Sequence, residues 1–131
     1  MVTRAAIESF NEVWKELRAQ DYEPDGAAVS VIRDNVRDVD VFAVVATWCP
    51  DTRRDLPRFF KIADQAALPM TKVQMLAVDR TKMDPGGLTE KWQVTRVPTF
   101  IFLRGGKEIG RVTERPVTTL EKDMAGIVSR R

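Results

Sequence analysis

Val39-Asp40-Val41-Phe42-Ala43-Val44-Val45-Ala46-Thr47-Trp48-Cys49-Pro50-Asp51-Thr52 carries a β-branched apolar run directly into the only cysteine of the chain. Val39–Thr47 is nearly all apolar, the pattern of a strand covered on both faces. A helix follows from Thr52 to about Ala67, with Leu56, Phe59, Phe60 and Ala63 on its inner side and Pro57 expected to kink it. Cys49 therefore stands between a strand and a helix, where free backbone N–H groups and the helix dipole favour negative charge on the sulfur. Arg53 and Arg54 add positive charge in the first turn and Asp51 opposes it. The plainer reading of Cys49 is a small buried hydrophobe.

The flanking segments extend the pattern. Thr3 reads as an N-cap for a helix whose apolar face is Ile7, Phe10, Val13, Trp14 and Leu17, ending before Glu23-Pro24-Asp25-Gly26. Ala28–Val36 fits a strand by Val29 and Val31 and a helix by Val29, Ile32 and Val36; a short helix is favoured. Val73–Val78 reads as a second buried strand, Asp79–Gly87 as a loop and Leu88–Trp92 as the start of a helix. Thr99–Leu103 is a third strand, joined through a tight Gly105-Gly106 turn to Glu108–Val112 as a hairpin. Val117–Ser129 closes the chain as an amphipathic helix, with Leu120, Met124, Ile127 and Val128 inward. Early strands alternating with helices should run parallel, and the last two antiparallel, giving a mixed sheet with helices on both faces.

Composition narrows the function. The 131 residues are 44% apolar, enough for one core, and the net charge of +2 is too small and scattered for a nucleic-acid surface. The basic Ser129-Arg130-Arg131 end reads as a solvated helix end. With no histidine and one cysteine, the composition argues against a zinc site and excludes both a Cys–His nucleophile pair and an internal disulfide. The N-terminal stretch is interrupted by charge, unlike a signal peptide, and no apolar run is long enough to span a bilayer. A soluble, cytoplasmic protein is expected, where a free thiol persists.

Each remaining candidate has an ordinary alternative. Thr52, one turn beyond Cys49, can hydrogen-bond the thiolate or act as a plain N-cap; both roles can hold together. Pro98 is structurally allowed at a strand entrance. In the cis form it would set the backbone of Val97 beside Cys49. Trp48 offers a flat apolar surface to a partner or packs in the core; Trp92 reads as core. Arg53, Arg54, Arg58 and Lys61 form a basic helix face, either simply solvated or attractive to an acidic ligand.

Trp48-Cys49-Pro50-Asp51-Thr52, Pro57, Arg96-Val97-Pro98-Thr99-Phe100-Ile101-Phe102-Leu103 and Gly105-Gly106-Lys107 together resemble the thioredoxin-like superfamily from about Val39 onward. By its length the chain is a single domain, with residues 38–131 the core and residues 1–37 a helical extension that fits the family poorly, since the family usually starts with a strand. The resemblance implies a three-layer α/β thioredoxin fold: a mixed four-stranded sheet with helices on both faces, here with an extra N-terminal helix. It also implies a cis Pro98, and a partner-binding surface of Trp48, Pro50, Val97 and Pro98 around the catalytic Cys49 and Thr52. Three departures stand out. Thr52 replaces the second cysteine of C-x-x-C, Ala43 stands where the family keeps a buried carboxylate, and about Met75 where it keeps a lysine.

The C-P-x-T arrangement is similar to that of monothiol glutaredoxin-like proteins. It implies a disulfide-bearing or glutathionylated protein as substrate. Glutathione or another low-molecular-weight thiol would be co-substrate, with no bound cofactor and no metal. A monomer with no nucleic-acid or membrane partner is expected. A non-catalytic binding module and a redox sensor that oxidises at Cys49 are the competing expectations.

Overall fold

Alternation along the first strand sorts the interior into two cores. The computed structural model describes residues 2–9, 22–78 and 86–130. Its elements are α1 (Arg4–Ser9), α2 (Gly26–Asn35), β1 (Val39–Val45), α3 (Pro50–Gln65), a 3-10 turn (Met70–Lys72), β2 (Val73–Ala77), α4 (Leu88–Lys91), β3 (Thr99–Arg104), β4 (Lys107–Thr113) and α5 (Leu120–Val128). Phe10, Val13, Trp14, Leu17 and most of the Asp79–Gly87 loop lie outside the described residues.

Val39, Val41, Ala43 and Val45 point to one side of the sheet, into a core with side chains from α1, α2, α3 and α5. Phe42 and Val44 point to the other, where Leu88 of α4, Trp92, Val94 and Cys49 pack. This is the period-2 rule acting on a strand buried on both faces. One face thus carries four helices and the other one short helix, among the described residues.

The strand order is β2-β1-β3-β4. β2 is parallel to β1, as alternation with a helix predicts, with Ala43 opposite Met75. β3, although a helix precedes it, is antiparallel to β1, with Val44 opposite Thr99. β3 starts at the end of the sheet where β1 and β2 stop. β4 returns from β3 through Gly105 and Gly106, with φ of +60° and +80°, a turn that residues with side chains adopt poorly.

Local signals account for most element bounds. The Thr3 hydroxyl accepts from Ala6 N–H at 3.1 Å and opens α1. Asp25 accepts from Ala28 N–H at 3.0 Å and opens α2, which buries Val29 and Ile32 and leaves Val31 exposed, so the helical period prevails in the ambiguous segment. α3 begins at Pro50, two residues before the expected Thr52, and runs unbroken through Pro57. Proline has a suitable fixed φ and no N–H to waste at a first helical position. Cys49 is therefore the N-cap, and Thr52 sits inside the first turn rather than capping it. α5 starts at Leu120, because Thr119 accepts from Lys122 N–H at 3.2 Å, and Asp123 takes the N–H groups of Val117 and Thr118. Leu120, Met124, Ile127 and Val128 are all buried.

Two carboxylates are buried among the described residues, and each has donors. Asp55 receives the Arg54 fork at 2.9 and 2.6 Å. Glu121 accepts from the Tyr22 hydroxyl and, at 2.8 Å, from Asp25 N–H, tying α5 to the segment before α2. Burial alone would raise the Glu121 pKa; these bonds outweigh it and hold the carboxyl below its ordinary value.

Candidate active site

The antiparallel pairing of β1 and β3 builds the site. Because Val44 faces Thr99, the chain leaving β1 toward Cys49 and the chain entering β3 through Val97-Pro98 emerge at the same edge. The Cys49 N–H bonds Ala46 O at 3.1 Å, a tight turn that brings the sulfur to the head of α3. There the Cys49 thiol donates to the Val97 carbonyl, with Sγ 3.5 Å from the oxygen. The Val97–Pro98 peptide bond is cis. The Pro98 carbonyl is engaged from the other side by Glu114 N–H at 2.7 Å, and the Thr99 hydroxyl donates to Arg96 O at 2.6 Å.

Cys49 is 8% exposed, with its sulfur at the edge of the thinner core. Pro50 beside it is exposed and Trp48 half-buried. The Trp48 indole donates to Val78 O at 3.2 Å, pinning the ring across the ends of β1 and β2. Trp92 packs against Phe42 with ring centroids 6.1 Å apart, on the same side of the sheet. Trp48, Cys49, Pro50, Val97 and Pro98 thus come together at one edge. Thr52 is fully buried one turn below, and its hydroxyl oxygen accepts from Ala46 N–H at 3.3 Å. Thr52 therefore locks the end of β1 to α3.

Charge at the rim is arranged in pairs. Arg54 bonds Asp51 at 2.9 Å as well as Asp55, and Arg115 reaches Asp51 at 3.6 Å. The fork to Asp55 is the main reason the Arg54 pKa lies above its ordinary value, against the opposing effect of burial. Arg96 pairs with Glu114 at 2.8 Å. Sequence reading missed Asp55, Glu114 and Arg115. Asp55 carried a signal, since it shares the inner helical spacing of Thr52, Leu56 and Phe59; Glu114 and Arg115 meet the site only through the fold. Ala43 and Met75, the positions of the expected carboxylate and lysine, are register neighbours, both buried in the thicker core. No group of three or more Cys, Asp or Glu side chains among the described residues is placed to hold a metal ion.

A βαβ unit entering a mixed sheet, a cysteine capping the following helix and a cis proline opposite it define a thioredoxin-type molecule. The thioredoxin family model matches residues 30–126, and the chain belongs to the thioredoxin family. It is 34% identical over 80 residues to TPR repeat-containing thioredoxin TDX of Arabidopsis thaliana, a stretch covering 61% of this chain and 20% of that protein. It is 32% identical over 77 residues to thioredoxin H2-1 of rice, covering 59% of this chain and 51% of that one. The matched region thus spans a fifth and about half of these relatives. A protein of unknown function from Pseudomonas aeruginosa superposes with a TM-score of 0.64 over 98% of this chain and 96% of its own, at 12% identity, a likeness of fold alone. No described helix is long and apolar enough to cross a membrane.

Proposed function

We propose that the protein is a monothiol thiol–disulfide oxidoreductase acting through Cys49. The observation that carries this reading is the placement of the Cys49 sulfur at the N-terminus of α3, 3.5 Å from the Val97 carbonyl beside cis-Pro98. In the thiol form the S–H donates to that carbonyl. The residue is the N-cap of α3, at the end of the helix where the dipole favours negative charge. Thr52 holds the strand end that leads to Cys49, its hydroxyl oxygen accepting from Ala46 N–H.

The reaction balances with an external thiol. The Cys49 thiolate attacks the glutathione sulfur of a glutathionylated protein, forming a Cys49–glutathione disulfide and releasing the protein thiolate. A second glutathione thiolate then attacks that mixed disulfide, releasing glutathione disulfide and restoring the Cys49 thiolate. The substrate gains two electrons, and glutathione supplies them. With Thr52 in place of a second cysteine, no internal thiol competes for the intermediate. Trp48, Pro50, Val97 and Pro98 form the surface on which the substrate lies, in a monomer working in a reducing, cytoplasmic setting.

Intact-mass measurement with glutathione disulfide tests this. One glutathione adduct per chain should accumulate without added thiol, disappear on adding glutathione, and be absent in Cys49→Ser. A wild-type chain that forms no adduct with any disulfide would sink the redox reading and leave a peptide-binding module on the same groove.

A further inference from the structure

Four arginines stand around the start of α3 and the Pro98 loop, and three of them are compensated. Arg54 uses its donors on Asp51 and Asp55, Arg115 faces Asp51, and Arg96 pairs with Glu114. Arg53 is different. Its Nε is buried with no hydrogen-bond partner, the one such side-chain nitrogen or oxygen among the described residues. Its backbone N–H bonds the Cys49 carbonyl at 3.0 Å, which places it one helical turn above the nucleophile. The side chain as a whole is only partly covered, so its guanidinium can turn outward. Asp51 and Asp55, each two residues away in sequence, are already engaged by Arg54 and, for Asp51, Arg115.

We propose that Arg53 is the specificity residue of the Cys49 site and selects disulfides that carry a carboxylate beside the reacting sulfur. This rests on the reading of Cys49 as nucleophile and adds the residue that selects its substrate. A guanidinium nitrogen held without an acceptor is in an unfavourable position, and a ligand carboxylate relieves it. Turned outward, the planar fork offers Nε and a terminal nitrogen together, a bidentate match for a carboxylate that an ammonium cannot copy. Neutral disulfides of similar size lack that contact. Arg53 does not touch the reacting sulfurs; it sets how often an anionic disulfide is held against Cys49.

The rate of adduct formation at Cys49 tests this, measured by intact mass with anionic glutathione disulfide and with neutral bis(2-hydroxyethyl) disulfide. Arg53→Ala should slow the anionic reagent about tenfold more than the neutral one, since any effect of its charge on the thiolate falls on both reagents alike. Arg53→Lys should recover part of the loss, and added salt should slow the wild type with the anionic reagent only. An equal loss with both reagents would show Arg53 to be a prop for the helix and overturn the proposal, as would no loss with either. A wild type that reacts with the neutral reagent as fast as with the anionic one overturns the selectivity while leaving Cys49 a nucleophile. A wild type inert to both removes the nucleophile and this inference with it.

Discussion

Cys49 and Ala43 lie on one continuous run of chain, and their surroundings differ in kind. Backbone makes the setting of Cys49: the head of α3, the Ala46 carbonyl on its own N–H and the Val97 carbonyl on its sulfur. Side-chain packing makes the setting of Ala43, fully buried opposite Met75 in β2 and Phe100 in β3. A nucleophile's environment built from backbone persists for as long as the fold does. A carboxylate–lysine pair at 43 and 75 would have to come from side chains, and two replacements remove it with the sheet intact. A single-sulfur site needs only the first of these environments, because no second thiol has to be deprotonated inside the molecule.

Restoring the missing charge is the harshest way to press the difference. Ala43→Asp places a carboxylate in the thicker core with no donor there, and should cost about 3–5 kcal/mol in urea unfolding. Met75→Lys alone should also destabilise, and the double variant should recover a measurable part, since the two positions are register neighbours. Strictly additive losses would mean that the side chains of the two strands do not meet, and would break the comparison.

Thr52 joins the two environments. Thr52→Val keeps the shape but leaves the Ala46 N–H without an acceptor, and should cost about 1–3 kcal/mol. Thr52→Ser should retain most of the stability. If Thr52→Val also slows adduct formation at Cys49 while Thr52→Ser does not, the hydroxyl serves the thiolate as well as the fold. An unchanged rate would confine it to the fold.

Glu121 gives the smallest effect and a control, a buried acid that does have donors. Its folded-state pKa is depressed, so the stability it contributes is present above the ordinary carboxylate range and is lost as pH falls through the folded value. Glu121→Gln should lower stability by about 1 kcal/mol at pH 7. It should also flatten the fall of melting temperature between neutral and strongly acid pH. An undiminished acid slope in the variant would place the titrating group elsewhere.

What could be read from the residues alone follows from short-range physics. The unbroken apolar run of β1 announced a strand covered on both faces. Thr3 announced a helix start, and the spacing of Leu120, Met124, Ile127 and Val128 announced the inner face of α5. Cys49 at a strand–helix junction, and the family resemblance carried by V-P-T and the glycine pair, were legible too, because each sits in a few consecutive residues. Val29, Val31 and Ile32 left α2 ambiguous, since short apolar segments satisfy both periods until a core chooses one.

The meeting of Cys49 with Val97 was already expected from the proline, whereas the direction of β3, the bond from Thr52 to Ala46 and the pairing of Ala43 with Met75 were settled only by the tertiary structure. So was the isolation of Arg53 among paired arginines. Each joins groups whose contact depends on how the strands are laid side by side. No local propensity records that arrangement. It follows from two cores on opposite faces of one sheet that must both be filled.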